Sequence, residues 1–274
     1  MFLNGMTLTG KTVLITRAAD QADSFAKLIE ARGGTPVIFP TIEIHPPESL
    51  EQLDRAIDGL YMYDGVIFTS TNGVKFFFRR LVQRDVTIND VKRKRVFVVG
   101  EKTRQAVEEQ GIAVTAMPEK FTAADLTKTI DHEDLHGRTF LFPCGSLSPG
   151  ILADTLKLLG ASVDAVIVYQ TKRPQQKDVA NLQRMLFDDQ IDVITFTSPS
   201  TFKNFVMLFS RTELRKLQDH TRIAVIGPAT AHAVNEAGLE VDISSEKSTT
   251  ESLLDAIAAA FQSTLQNPKT KLTP

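Results

Sequence analysis

A single cysteine, Cys144, stands in 274 residues, so no internal disulfide holds the fold and a reducing, cytoplasmic setting is expected. Zinc-ligand spacing is missing as well. His132 and His136 lie four apart, but DHEDLHG reads as a solvated loop after a helix, not as a metal pair. No stretch of 18 apolar residues occurs, and no charged start leads into an apolar run, so neither a membrane span nor a signal peptide is expected. With 31 basic against 33 acidic side chains the net charge is −2, which leaves no global basic footprint for nucleic acid. G-x-G-x-x-G after a strand, G-x-x-x-x-G-K-[ST] and G-x-S-x-G are all lacking, so nicotinamide, nucleoside-triphosphate and serine-nucleophile readings lose their usual support. An enzyme built on this chain is expected to work without metal, nucleotide or covalent nucleophile.

What is present is a repeat. GKTVLITR at Gly10 returns as GRTFLFPC at Gly137, VIFTSTNG at Val66 as ITFTSPST at Ile194, and RVFVVGEKTRQAVEEQGIAV at Arg95 as RIAVIGPATAHAVNEAGLEV at Arg222. PEKFTAADL at Pro118 has its echo in SEKSTTESL at Ser245. A near-constant offset of about 127 residues marks a long duplication, not a short solenoid, and two similar lobes facing each other across a cleft are expected. The 42 % apolar content is enough to give each lobe a core.

Each copy alternates short β-branched runs with helical patterns. Strands are expected at Thr12–Thr16, Val37–Phe39, Gly65–Thr69, Val96–Val99 and Ala113–Thr115, then at Thr139–Phe142, Val163–Val168, Val193–Thr197, Ile223–Ile226 and Val241–Ile243. Helical periodicity runs through Ser24–Arg32, Leu50–Leu60, Thr103–Gln110, Leu152–Leu159 and Ala229–Ala237; Gly33, Gly111, Gly160 and Gly238 stop four of these helices. Nearly continuous apolar strands that alternate with helices belong to parallel sheets covered on both faces. The fold class is therefore α/β, two similar doubly wound parallel-sheet lobes.

In such sheets ligands bind beyond the carboxyl ends of the strands, where helix amino termini present free N–H groups. Four repeated turns fall there: Ser70-Thr71-Asn72-Gly73, Gly100-Glu101-Lys102-Thr103, Ser198-Pro199-Ser200-Thr201 and Gly227-Pro228-Ala229-Thr230. Each could cradle an anion; any one of them alone reads first as ordinary helix capping, and it is four duplicated turns together that shift the balance toward a ligand, without identifying it. Arg17, Lys75, Lys102, Arg104 and Lys203 are the cations near them. Helix-face charges are mostly solvated, so one or two of the five are expected to touch a ligand.

The Thr16-Arg17 strand end, FTSTNGV from Phe68, VVGEKT from Val98, VYQT from Val168, FTSPST from Phe196 and IGPATAHAV from Ile226 together resemble the uroporphyrinogen-III synthase family over about residues 10 to 260. The resemblance implies a cofactor-free monomeric enzyme of haem and sirohaem biosynthesis. Such an enzyme closes linear hydroxymethylbilane, handed over from the preceding enzyme of the pathway, into uroporphyrinogen III, inverting the last pyrrole ring and releasing water. It also implies a topology that the repeat alone does not: 1–39 with 172–274 in one lobe, 46–165 in the other, and a two-stranded antiparallel crossover of 40–45 and 166–171. Pro46-Pro47 and Arg173-Pro174 punctuate both crossings.

By the same resemblance Tyr169 is the catalytic candidate, a phenol that stays protonated near neutrality and can donate to a departing hydroxyl. Substrate contacts are expected from Arg17, Ser70, Thr71, Asn72, Gly100, Lys102, Thr103, Ser198, Ser200, Gly227 and Thr230. Cys144 is a departure, since many members carry arginine before the glycine that is Gly145 here; a buried cysteine there would act as a small hydrophobe. Phe76-Phe77-Phe78 reads as core, because three adjacent positions point around a helix. Two other classes stay open at this point: a two-lobed small-molecule binding or sensory module, and a catalytically inactive relative.

Overall fold

The computed structural model describes residues 7–118, 135–147, 149–175 and 178–266. His132 and most of the Pro118 repeat lie outside them. In chain order the elements are β1 (Thr12–Ile15), α1 (Ala19–Glu30), β2 (Thr35–Ile38), β3 (Glu43–His45), α2 (Glu51–Asp58), a 3-10 turn (Leu60–Met62), β4 (Gly65–Phe68), α3 (Thr71–Gln83), α4 (Ile88–Lys92), β5 (Arg95–Val98) and α5 (Glu101–Glu108). They continue with β6 (Thr139–Gly145), α6 (Pro149–Leu158), β7 (Ser162–Lys172), α7 (Val179–Phe187), β8 (Val193–Phe196), α8 (Pro199–Val206), α9 (Arg211–His220), β9 (Arg222–Val225), α10 (Pro228–Glu236), β10 (Ile243–Ser244) and α11 (Thr250–Gln266).

The chain forms two compact units, 1–43 with 172–274 and 44–171. The first holds a sheet of order β10-β9-β8-β1-β2, the second a sheet of order β3-β7-β6-β4-β5. Within them β1 pairs in parallel with β2 and β8, β8 with β9, β9 with β10, and β6 with both β4 and β7. Repeat equivalence maps β9-β8-β1-β2 onto β5-β4-β6-β7, so the two sheets share one strand order although β1-α1-β2 comes from the opposite end of the chain. The fold is the α/β, doubly wound, duplicated one that the apolar strands imply.

Duplication extends to single atoms. Asp192 accepts from the Thr12 backbone N–H at 2.8 Å and from Lys11 at 2.7 Å, while Asp64 accepts from the Thr139 N–H at 2.8 Å and from Arg138 at 3.0 Å. Each carboxylate ties the start of one strand to its neighbour, and the Thr139 N–H together with the Arg138 guanidinium holds Asp64 below the usual carboxylate range. The positive-φ glycines of the described residues also come in pairs about 127 apart, the repeat offset: Gly10 and Gly137, Gly33 and Gly160, Gly100 and Gly227, Gly111 and Gly238.

Both faces of each sheet are covered, and alternate residues serve alternate faces. On β4, Val66 and Phe68 enter one cluster with Phe77, Phe78 and Leu81, while Ile67 packs in a second with Phe140, Phe142 and Leu156. On β1 and β8, Leu14, Ile194 and Phe196 face Phe202 and Phe205, whereas Val13, Ile15 and Val193 face Phe25, Leu254 and Ile257. Each large side chain buried this way contributes about 1.5–3 kcal/mol of transfer energy. Phe77 and Phe78 are core, as adjacent helix positions imply; Phe76 is only partly buried.

One expected strand is corrected. Ala113–Thr115 forms no named strand, and a single bridge joins Ala116 to Phe97. The reason is a substitute acceptor: the Val96 N–H donates to the Thr115 hydroxyl at 2.9 Å, as the equivalent Ile223 N–H donates to Asp242 at 2.7 Å. Pairing with the sheet therefore starts later than the apolar run does.

Candidate active site

Parallel pairing places the amino termini of α3, α5, α8 and α10 directly after the carboxyl ends of β4, β5, β8 and β9. The residues expected to bind substrate all fall at such positions, apart from Arg17, which follows β1. They divide between the two units and are described within each.

In the unit of 44–171, Ser70 is the N-cap of α3, with φ −154° and its hydroxyl accepting from the Gly73 N–H at 3.0 Å. The same oxygen lies 3.3 Å from the Tyr169 phenolic oxygen. Tyr169 sits on β7 opposite Gly145 of β6, where the register slips between Cys144 and Gly145. The ring passes over that glycine: a Cβ at Gly145 would lie 2.7 Å from the phenolic oxygen. Phe76 of α3 flanks the ring at 5.9 Å between centroids. Gly73 lets α3 approach β6, since a Cβ there would come within 2.9 Å of the Pro143 carbonyl oxygen. Glycine below, an aromatic beside and serine at the hydroxyl thus frame one phenol.

Tyr169 is 9 % exposed. Burial raises its pKa above the ordinary tyrosine value; the Ser70 hydrogen bond works against this rise, and the neighbouring Cys144 adds to it. The phenol is therefore a proton donor throughout the neutral range. Cys144 is buried, its thiol pushed up to about 11 by desolvation, with Sγ donating to the Val166 carbonyl at 3.6 Å. It behaves as a small hydrophobe, not a nucleophile.

Gly100 precedes α5 at φ 86°, and a methyl group added there would meet nothing within 4 Å; backbone shape, not space, requires glycine at this position. Thr103 is buried at 5 % exposure, its N–H bonded to the Gly100 carbonyl at 3.0 Å. Thr71 and Lys102 share the lining of a groove of about 750 Å³ between α3 and α5, with Val74 and Phe78 on its apolar side. Asn72 follows Thr71 in the first turn of α3. Arg104 is held on its own helix, at 2.5 Å from Glu101 and 2.7 Å from Glu108, which commits its guanidinium to that helix.

In the other unit Ser198 caps α8 with a reciprocal capping box through Thr201 and lies 3.0 Å from the Ser200 hydroxyl. Gly227 precedes α10 at φ 75°, and Thr230 is buried at 2 % exposure. Arg17 donates from Nη2 to Gln21 at 2.6 Å, while its Nε is buried with no partner among the described residues. Desolvation depresses its pKa, opposed by Asp20 and Glu251, but an arginine keeps its charge at any working pH. A half-buried guanidinium whose buried Nε is unmet is suited to an incoming carboxylate.

Sequence reasoning found Tyr169 and Ser70 separately and missed their contact. Gly73 and Gly145 were the available signals, glycines in an element interior and at a strand end, where close approach is the usual reason. Among the described residues no three His, Cys, Asp or Glu side chains converge into a metal-binding group.

Known proteins resemble this chain over most of its length. The family described as Uroporphyrinogen-III synthase HemD matches residues 23–255. The uroporphyrinogen-III synthase of Chlorobaculum parvum is 36 % identical over 92 % of this chain and 100 % of its own length, and that of Synechococcus elongatus is 32 % identical over 91 % and 95 %. Among solved structures, a mutant uroporphyrinogen III synthase from the extreme thermophile Thermus thermophilus aligns with a TM-score of 0.66 at 18 % identity, covering 93 % of this chain and 100 % of that one. The Helicobacter pylori uroporphyrinogen-III synthetase aligns with a TM-score of 0.58 at 16 % identity, covering 91 % and 98 %; at such identities these two speak for the fold. Full-length matches of this kind do not favour a binding module or an inactive relative.

Proposed function

Because this chain belongs to the uroporphyrinogen-III synthase family, we propose that Tyr169 serves the ring closure by which hydroxymethylbilane becomes uroporphyrinogen III. The hydroxymethyl group sits on an electron-rich pyrrole, whose ring nitrogen pushes the C–O bond toward ionisation. Only modest help at the departing oxygen is needed. The neutral phenol donates to that oxygen and passes it a proton as the C–O bond breaks, so that it leaves as water. The proton that the pyrrole releases when the rings close returns to the phenol oxygen. Free bilane can also close without inversion, so the larger task is to hold the two ends for attack at the substituted carbon of the last ring. Positioning of this kind is worth up to roughly 7–11 kcal/mol in favourable cases.

One observation carries this reading, the framed phenol: a buried, protonated hydroxyl at the carboxyl end of a parallel sheet, held by Ser70, Phe76 and Gly145. In this reading the substrate's carboxylates meet Arg17, Lys102 and the N–H groups of the turns that begin at Ser70, Gly100, Ser198 and Gly227. Thr71, Asn72, Thr103, Ser200 and Thr230 line their approach. Helix amino termini hold exposed anions at about 0.3–1 kcal/mol apiece. The enzyme acts as a cytoplasmic monomer, takes its bilane from the preceding enzyme of the pathway and feeds haem or sirohaem synthesis. Among the described residues no helix is long and apolar enough to cross a membrane.

The test sets ring closure beside product binding in Tyr169→Phe. Closure should slow while uroporphyrinogen III still binds; loss of binding with an unchanged rate of closure would make the residue a binding contact instead.

A further inference from the structure

Ser70 and Ser198 occupy equivalent places in the duplication, both extended N-caps, at φ −154° and −159°. Their surroundings differ. Ser198 is closed into a capping box by Thr201 and has a second serine, Ser200, at 3.0 Å. Ser70 has Gly73 in place of Thr201, so its hydroxyl accepts from the Gly73 N–H at 3.0 Å and no side chain at that position reaches back. The position equivalent to Tyr169 in the other unit is Ile42, which has no hydroxyl to orient. Only the copy that carries the phenol leaves its capping serine open toward it.

The proton arrangement follows from counting donors. The Gly73 N–H occupies one lone pair of Ser70 Oγ. The serine hydrogen is then available to the Tyr169 oxygen at 3.3 Å, and a phenol that accepts there must direct its own O–H elsewhere. Phe76 at 5.9 Å and Gly145 beneath the ring restrict the remaining freedom of the side chain.

We infer that Ser70 is a positioning residue for ring closure: anchored on the Gly73 N–H, it donates to the Tyr169 oxygen and leaves the phenolic proton aimed at the departing hydroxyl. This rests on the reading of Tyr169 given above. It assigns Ser70 an indirect part, acting through the phenol, in place of the substrate contact that its position in the turn implies.

Three variants separate orientation from capping. Ser70→Ala removes both cap and hydroxyl; Ser70→Gly retains most of the capping preference but no hydroxyl; Ser70→Thr retains both. Single-turnover ring closure should fall about 5- to 10-fold in Ser70→Ala and Ser70→Gly alike, the size of one lost hydrogen bond. The Michaelis constant should stay near wild type, and Ser70→Thr should recover the rate. In a Tyr169→Phe background Ser70→Gly should cost less than about twofold, because the group that it orients is gone.

A wild-type rate in Ser70→Gly beside a slow Ser70→Ala would overturn the inference in favour of capping. An equal loss in both backgrounds, or a raised Michaelis constant with unchanged kcat, would overturn it in favour of direct substrate contact. If Tyr169→Phe is slow while all three Ser70 variants run at wild-type rate, this inference alone falls; if Tyr169→Phe itself runs at wild-type rate, the parent reading falls with it.

Discussion

At the scale of single residues, the proposed function leans on two side chains, one in each unit, whose burial has opposite consequences. Burial of Tyr169 favours its neutral form, the form that donates, so the contribution of the phenol should stay constant from neutral pH upward and decline only above the ordinary tyrosine value of about 10. Single-turnover rates across about pH 7 to 11 check this, and an alkaline loss centred below about pH 9 would contradict it. Burial of Arg17 leaves a charge with an unmet Nε. Arg17→Gln should raise the Michaelis constant about 10-fold or more, the range of a hydrogen bond to a charged group, with kcat little changed; a fall in kcat alone would deny it a carboxylate-holding role. Gly145→Ala should slow closure at least as much as Tyr169→Phe, since the added methyl takes the space of the ring. Normal thermal unfolding must accompany that loss for the displacement argument to stand. Residue types were legible in sequence and residue contacts were not: Tyr169 and Ser70 are 99 positions apart, and no local pattern records that a strand and a helix cap converge.

At the scale of elements, the repeated turns act first as helix starts. Ser70 and Ser198 accept backbone N–H groups, and Gly100 and Gly227 adopt φ of 86° and 75°. Ser198→Ala should destabilise its unit by about 1 kcal/mol through the lost cap. Gly100→Ala should cost about 1–2 kcal/mol from backbone strain alone, since no neighbour stands in its way. Urea unfolding measures both, and a neutral Gly100→Ala would show that the turn tolerates another conformation. Thr103→Ala and Thr230→Ala should slow closure less than Tyr169→Phe does, because the backbone N–H groups of their turns remain. Helix ends were legible because positive-φ glycines leave a plain mark, as Gly33, Gly111, Gly160 and Gly238 do. The strand expected at Ala113–Thr115 was not, because the Thr115 hydroxyl replaces a backbone acceptor and apolar alternation cannot report a side-chain substitution of that kind.

At the scale of the whole molecule, duplication supplied two sheets of one strand order and then let the copies diverge in chemistry. Asp64 and Asp192 keep the same structural bonds, whereas Tyr169 answers to Ile42 and Gly73 to Thr201. An internal repeat of about 127 residues reveals two similar lobes from sequence, but not that β1-α1-β2 folds with the far end of the chain, nor which copy carries the reactive group, since that rests on differences where the repeat reports likeness. Central to the function proposed here is a framed, neutral phenol in one copy that assists an inverting ring closure without an added metal or nucleotide. Isomer-resolved single-turnover closure of fresh hydroxymethylbilane, run with wild type and Tyr169→Phe in the presence of a chelator, tests this most directly. Type III product is expected from both, with the variant about 10²-fold slower if the phenol acts as a general acid and less so if it only positions the leaving oxygen. Equal rates for the two proteins, or activity abolished by the chelator and restored by zinc or magnesium, would contradict it.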